Sequence, residues 1–276
     1  MAKNGKQKQD GIIAEIITIT PTMAKGWLGN NPENRNIRQR LANRYARDMF
    51  SGEWTLNGEP IIFDSGGSLL DGQHRLTACI VANKSFKSLV VRGVPRTRGR
   101  FTIDTGKSKT AGDYFGMMGY AHSTNLASCL NWIWKIRHGK STAQNIECSQ
   151  QELQYMLGSN PSIEASVAFI GSKNSLIRSG MFSALHWLMS QADADLAELF
   201  FSGLRDGTGL SEGEPVLVLR RLLEREKINK NFKLRAWVRA ALVIKAWNAF
   251  IFSKPMKRLA WYDAKGEQFP EIRAPK

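Results

Sequence analysis

Cysteine and histidine, the residues that most often hold metal ions, are scarce in this chain. Its 276 residues include four histidines and three cysteines, Cys79, Cys129 and Cys148. The cysteines are widely spaced and odd in number, which argues against both a zinc cluster and a disulfide framework. We interpret them as reduced residues that serve packing.

Long apolar runs are also absent. No uninterrupted hydrophobic stretch reaches the length of a membrane span. Residues 1–10 are polar, without the apolar core of a signal peptide, and we predict that they form a flexible basic tail. The sequence therefore predicts a cytoplasmic protein that has no membrane partner.

Acidic residues are too few to balance the basic ones. Lysine and arginine total 39 against 24 aspartate and glutamate residues, which gives a net charge of +15. Such an excess favours an anionic partner, most simply nucleic acid. A basic but otherwise ordinary globular protein is the alternative. The hydrophobic content of 42% is ample for a buried core.

The chain changes character near residue 121. Before it, apolar strand-like runs at residues 12–19, 60–64, 68–70 and 87–94 alternate with helical patterns. After it, helical periodicity dominates, and Ser149 with Glu152 forms a capping-box pattern at the start of one helix. We predict an α+β fold, with a mixed domain over residues 11–120 and a basic all-helical domain over 121–276.

The most informative stretch is Asp71-Gly72-Gln73-His74-Arg75, where a strand-like run gives way to helical spacing. A helix N-terminus presents backbone amides and partial positive charge to phosphate. Gly72 allows the backbone to approach a ligand closely, and Arg75 supplies a planar fork of hydrogen-bond donors suited to phosphate oxygens. Asp71 could bind a metal ion or accept a proton. His74 could donate a hydrogen bond.

A purely structural interpretation of the same residues stays open. Asp71 could cap the helix, and Gly72 could serve only the turn. Arg75 could be a partner in an ion pair.

A second strand-to-helix turn follows residues 101–103. Its glycine, lysines and hydroxyls suit phosphate, but it is not a P-loop, because Phe101 stands where the first glycine would be. A capped helix start is the alternative. The residues that we predict to face phosphate here are Asp104, Thr105, Gly106, Lys107 and Lys109.

Basic residues cluster in three further places: a helix predicted over 37–50, the loop at 95–100 and the closing helices. Arg44 is predicted to face phosphate. The other basic side chains are predicted to contact nucleic acid, and a solvated basic face is the alternative. This set comprises Arg40, Arg47, Arg96, Arg98, Arg220, Arg221, Arg225, Lys230, Lys233, Arg235 and Arg239. The interleaved tryptophans are more typical of core packing than of base stacking.

The residues from Asp71 to Arg75, together with the stretch 44–54 before them, resemble the ParB/sulfiredoxin-like superfamily in its Asp-Gly-Gln-His-Arg form. That resemblance implies phage or mobile-element origin, hence a location in the host-cell cytoplasm, and a nucleoside triphosphate bound at Gly72, Gln73 and Arg75. Asp71, His74 and Arg75 would be catalytic. A Mg²⁺ ion held by Asp71 and Asp104 together with substrate phosphates would fit this chemistry.

The sequence departs from two known branches of this superfamily, and each departure argues against carrying over an activity of that branch. Sulfiredoxins carry a reactive cysteine where this chain has Gln73, which argues against that activity. Partition proteins carry Gly-Glu-Arg-Arg, so Gln73 and His74 remove the basis for CTP specificity. We expect nucleotide-dependent phosphate hydrolysis or transfer on or near DNA, as an NTPase, nuclease or kinase-like enzyme. The alternative is a DNA-binding regulator or host-interaction protein with a vestigial or switch-type pocket. A homodimer is compatible with either.

Overall fold

The computed structural model describes residues 11–29, 37–95, 109–138, 148–171, 176–177, 179–262 and 266–275. The chain forms two compact units, Met1–Ser108 and Lys109–Lys276, which we describe separately. Within the described ranges there are four strands and eleven helices. The predicted α+β class is therefore confirmed. Phe101 and the strand expected beside it lie outside the described residues.

The first unit contains one mixed sheet. Its strands are β1 (Ile13–Ile19), β2 (Ile61–Asp64), β3 (Leu69–Asp71) and β4 (Phe86–Val94), in the order β1-β4-β2-β3. The pairs β1–β4 and β2–β3 are antiparallel, whereas β2 and β4 run parallel. A parallel pair needs a crossover connection, and here the chain between β2 and β4 supplies β3 and a helix.

Three helices accompany the sheet: α1 (Pro21–Gly29), α2 (Gln39–Ser51) and α3 (Gln73–Ala82). The buried face of α2 carries Ala42, Ala46 and Met49, and the helix ends at Gly52 in the left-handed conformation that favours glycine. Ala46 and Met49 belong to a core that also contains residues of the sheet and of α3.

Asp64 sets the geometry of the β2–β3 hairpin. Its buried carboxylate accepts hydrogen bonds from the backbone N–H groups of Gly66 at 2.9 Å and Ser68 at 2.7 Å. Gly67, with φ +82°, completes the turn. The return strand β3 is three residues long, so this turn determines where Asp71 lies.

The second unit is entirely helical in its described part. Its helices are α4 (Ala111–Met117), α5 (Ser123–His138), α6 (Gln150–Ser159), α7 (Ile163–Ile170), α8 (Gly180–Ser190), α9 (Ala194–Asp206), α10 (Pro215–Ile228) and α11 (Ala236–Phe250). The unit begins before the boundary that we predict at residue 121. Phe115 on α4 shares a buried cluster with Leu126 and Leu130 of α5, which explains why α4 belongs to the helical unit.

The predicted capping box at the start of α6 is confirmed. The N–H of Glu152 donates to Ser149 Oγ at 3.1 Å, and the N–H of Ser149 donates to Glu152 Oε2 at 2.6 Å. Each side chain satisfies a backbone donor that the helix itself leaves unpaired.

The C-terminal segment folds back on α11. Trp247 is fully buried and donates its indole N–H to the carbonyl of Arg273 at 3.0 Å. Phe269 packs edge-on against Trp237, with ring centroids 4.8 Å apart. The tryptophans therefore serve packing here, as burial of large aromatic surface favours.

His186 on α8 is buried in the helical core. Its ring stacks on Phe169 at a centroid distance of 4.5 Å and meets the edge of Phe201 at 5.3 Å. Nδ1 lies 2.9 Å from Ser166 Oγ, while the buried Nε2 has no hydrogen-bond partner among the described residues. Burial lowers the pKa of His186 from 6.5 to about 4.

Candidate functional site

Gly72 is the junction between strand β3 and helix α3. It adopts φ +107° and ψ 4°, which is costly for any residue with a Cβ. An added Cβ would also collide with the side chain of Ile61 and lie 3.3 Å from its Cα. The fold alone therefore requires glycine at this position. The close backbone approach seen at Gly72 is to strand β2, and the approach to a phosphate stays a prediction.

Helix α3 starts without a side-chain cap. Its N-cap residue is Gly72, and no side-chain cap hydrogen bond is made there. A helix that begins in this way directs its partial positive charge outward. This is the local geometry that anions favour at helix N-termini.

Arg75 is buried and its guanidinium is bound by the protein itself. Nη1 donates to the carbonyl of Glu59 at 2.6 Å, and Nη2 donates to the carbonyl of Pro60 at 2.8 Å. Nη2 also pairs with Asp71 Oδ2 at 2.8 Å. Arg75 thus ties the segment that leads into β2 to the start of α3. A phosphate would have to compete with these partners.

Asp71 pairs with Arg75 instead of capping α3. This pairing occupies Oδ2, and the side chain keeps 38% of its surface exposed. In the described part of the chain no partner is recorded for Oδ1. Since the side chain is partly exposed, the carboxylate remains accessible to a proton or a cation.

His74 joins the starts of two helices. Its Nε2 accepts a hydrogen bond from the backbone N–H of Arg38 at 3.1 Å. Arg38 is the N-cap of α2 and makes no side-chain cap of its own. Because Nε2 is the acceptor, the neutral ring carries its proton on Nδ1. The N-termini of α2 and α3 therefore converge at this turn, and their partial charges add.

The arginines of α2 differ in their surroundings. Arg40 is exposed, while Arg44 and Arg47 are half-buried. The Arg44 guanidinium lies 5.5 Å from the centre of the Tyr45 ring. Of the three, Arg40 is the one whose surface is most open to an anion.

The second predicted turn falls largely outside the described residues. Asp104, Thr105, Gly106 and Lys107 lie there, as do Arg96 and Arg98 in the preceding loop. Lys109 is described and is exposed, with its ammonium group 5.9 Å from the Tyr114 ring. Lys109 begins the second unit, and Thr110 next to it caps α4.

A complete metal site is not visible in the described ranges, where no group of three metal-binding side chains comes together. Asp71 is the one predicted Mg²⁺ ligand that is described, because Asp104 is not. One carboxylate oxygen suffices when substrate phosphates supply other ligands, so Asp71 fits that role. Mg²⁺ would neutralise phosphate charge there.

Three cations that we predict to contact nucleic acid are bonded to groups of the helical unit itself. Arg220 Nη1 donates to the carbonyls of Leu204 at 2.7 Å and Arg205 at 2.8 Å, at the end of α9. Arg239 forms an ion pair with Glu226, and Lys233 Nζ donates to the Glu226 carbonyl at 2.8 Å. These cations hold the unit together.

The other predicted cations of this region are more accessible. Arg221 pairs with Glu212 at 2.7 Å on the surface, a contact of small energetic value. The Arg225 guanidinium lies 4.7 Å from the Phe232 ring centre. Lys230 and Arg235 are exposed, and no protein partner is recorded for either among the described residues.

The cysteines have no sign of nucleophilic chemistry. All three are buried and form no disulfide within the described residues, and burial raises the pKa of the Cys79 thiol to about 11. A thiol that stays protonated is a poor nucleophile.

No family model matches this chain, and no curated protein and no solved structure is significantly similar to it. The superfamily resemblance therefore depends on the residues from Asp71 to Arg75 and on the stretch 44–54, and it stays a prediction.

Proposed function

We propose that the protein is a DNA-associated, nucleotide-binding protein of ParB/sulfiredoxin-like type, in which the Gly72 turn binds a nucleotide phosphate. The observation that carries this proposal is the convergence of two helix N-termini at one turn, held by the hydrogen bond from Arg38 to His74. Two partial positive charges at one place attract a phosphate more strongly than one.

Asp71 makes hydrolysis or transfer of the bound phosphate chemically reasonable. Its Oδ1 can accept a proton from an attacking water or alcohol, or bind Mg²⁺ beside the phosphate. Helix amides and His74 would stabilise the charge that develops on the phosphoryl oxygens. In this scheme Arg75 is a positioning residue, because it holds Asp71 through the 2.8 Å ion pair.

A second candidate function is non-enzymatic. The guanidinium of Arg75 is already bonded to groups of the protein. This favours a DNA-binding regulator or host-interaction protein whose pocket binds a nucleotide as a switch or binds none. Both candidates use the positive charge of the chain for DNA, and turnover is what separates them.

A thermal-shift panel tests the phosphate site. The full chain is heated with ATP, GTP, CTP, UTP or ADP and Mg²⁺, with and without duplex DNA. We expect one nucleotide to stabilise the wild type and Val81→Glu, but not Gln73→Glu. A carboxylate at residue 73 repels phosphate, while the N-terminus of α3 tolerates it well. Val81 is 53% exposed near the other end of α3, so its substitution controls for the added charge.

Two results would contradict the phosphate site: no nucleotide stabilises the wild type, or Gln73→Glu responds as the wild type does. Turnover that disappears in Asp71→Asn supports the enzyme, because the amide oxygen can still accept from Arg75 but cannot act as a base. Nucleotide binding without turnover supports the switch.

A further inference from the structure

The turn between α10 and α11 is rich in exposed basic residues. From Glu224 to Arg239 the sequence has six basic residues and two acidic ones. Both carboxylates are already paired, Glu224 with Arg220 at 3.0 Å and Glu226 with Arg239. Lys227, Lys230 and Arg235 are exposed, and neither carboxylate of this segment is left to compensate their charge.

The same turn displays an apolar side chain that the fold does not use. Ile228, the last residue of α10, is 82% exposed. On either side of it in sequence stand Lys227 and Lys230, both exposed and without a protein partner among the described residues. Among the large apolar side chains of the described residues, that of Ile228 has the highest exposed fraction.

Hydrogen bonds to Glu226 hold this turn in place. Glu226 is buried, and its carboxylate accepts the backbone N–H of Leu234 at 2.9 Å and Arg239 Nε at 3.0 Å. Lys233 Nζ closes the loop on the Glu226 carbonyl. A contact surface that is ordered before binding loses little conformational entropy on association.

We propose that this turn binds duplex DNA, with Lys227, Lys230 and Arg235 on backbone phosphates and Ile228 inserted as a wedge between two base pairs. Apolar wedges of this kind unstack a base step while neighbouring cations hold the phosphates. Flexible pyrimidine–purine steps yield most readily. The inference rests on the DNA-binding part of the proposed function and specifies where contact occurs.

Salt-dependent binding of the full chain to a short duplex tests the phosphate contacts. Each lost contact lowers the magnitude of the slope of log K against log salt by about 0.9. We therefore expect Lys227→Gln, Lys230→Gln and Arg235→Gln together to lower it by about 2.7. The matched control replaces three exposed lysines of the first unit, Lys25, Lys84 and Lys87, and should leave the slope unchanged.

The wedge is tested with 2-aminopurine placed at a thymine–adenine step of the duplex. Wild-type protein should raise its fluorescence by unstacking the step. Ile228→Ala should abolish that rise and leave the salt slope intact. Leu199→Ala, at a residue 61% exposed on α9, is the control for removing an exposed aliphatic side chain and should behave as the wild type does.

The outcomes separate this inference from the proposed function. DNA binding with an unchanged slope in the triple variant overturns the turn as the contact surface. A fluorescence rise that persists in Ile228→Ala overturns the wedge. Absence of DNA binding by the wild type, including the case in which it binds anionic phosphatidylserine vesicles instead, overturns both this inference and the DNA part of the proposed function. Nucleotide binding at Gly72 would stand in either case.

Discussion

Mild acidification should weaken the helical unit through His186. The folded chain holds this ring between Phe169 and Phe201, and burial lowers its pKa to about 4 from the value of 6.5. The Arg205 guanidinium lies 4.8 Å from the centre of the same Phe169 ring. A second cation in this stack would be unfavourable, which acts in the same direction as burial.

The sign and size of the effect follow from proton linkage. Between pH 6.5 and pH 4, His186 is protonated in the unfolded chain but largely neutral in the folded chain. The free energy of unfolding therefore falls as the pH falls. One pH unit corresponds to about 1.4 kcal/mol. The loss should reach roughly 2 kcal/mol at pH 5 and roughly 3 kcal/mol near pH 4.

Other groups contribute mainly at lower pH. Burial alone would raise the pKa of Glu226, but hydrogen bonds from Arg239 and the Leu234 N–H bring it below its ordinary value of 4.5. The hydrogen bond from Lys245 lowers the pKa of Glu267 in the same way. Stability gained from these carboxylates is kept above pH 4.5 and lost below it. The window from pH 6.5 to pH 5 therefore lies above the range in which these carboxylates contribute, and exchange measured on α8 reports on the helix that carries His186.

The assay is hydrogen exchange by mass spectrometry on peptides from α8, with urea unfolding of the full chain at pH 7, 6 and 5. We expect His186→Gln to remove the pH dependence in this window, whatever its effect on stability at pH 7. His122→Gln, at an exposed position, is the matched control and should retain it. Equal stability of the wild type at pH 7 and pH 5 would refute the reasoning, as would an unchanged pH dependence in His186→Gln.

Three further predictions concern fold and function together. Gly72→Ala should cost about 2–4 kcal/mol of unfolding free energy from backbone strain and overlap. Gly67→Ala, with positive φ but open space around it, should cost only about 1–2 kcal/mol in urea titration; equal costs would contradict the overlap. Arg75→Ala should lower stability by about 3–5 kcal/mol even without nucleotide, because Asp71 and two carbonyls lose their partner, and a variant as stable as the wild type would disprove this. Arg220→Ala should lower the melting temperature yet leave the salt slope of DNA binding unchanged; a reduced slope would restore Arg220 as a phosphate ligand.

Element positions were largely predictable because they depend on local periodicity. Apolar strand-like runs predict strands at 12–19 and 87–94, and the structure has β1 at Ile13–Ile19 and β4 at Phe86–Val94. Likewise, the switch of spacing after Gly72 predicts the start of α3, which begins at Gln73. Both signals are short-range, and tertiary packing did not override them.

The partners of buried arginines were not predictable in this way. Arg75 bonds carbonyls of Glu59 and Pro60, and Arg220 bonds carbonyls of Leu204 and Arg205. A sequence shows which residues carry a guanidinium, but every residue carries a carbonyl. Which carbonyls are left without a backbone partner depends on where helices end and strands begin in the fold. The convergence of the starts of α2 and α3 at His74 is invisible in sequence for the same reason.

The order of strands in the sheet has a consequence for how the first unit is made. β1 pairs with β4 from Ile13 opposite Arg92 to Ile19 opposite Phe86. The first strand of this sheet to be synthesised can therefore pair only after the last one has been made. Contacts between distant parts of the chain slow folding, because the intervening loop must close first. During translation β1 must remain unpaired in this sheet until β4 has left the ribosome, with Ile13 and Ile16, each 63% exposed even in the finished fold, open to other chains. The time to traverse residues 20 to 86 thus sets the period in which this strand is most vulnerable to aggregation.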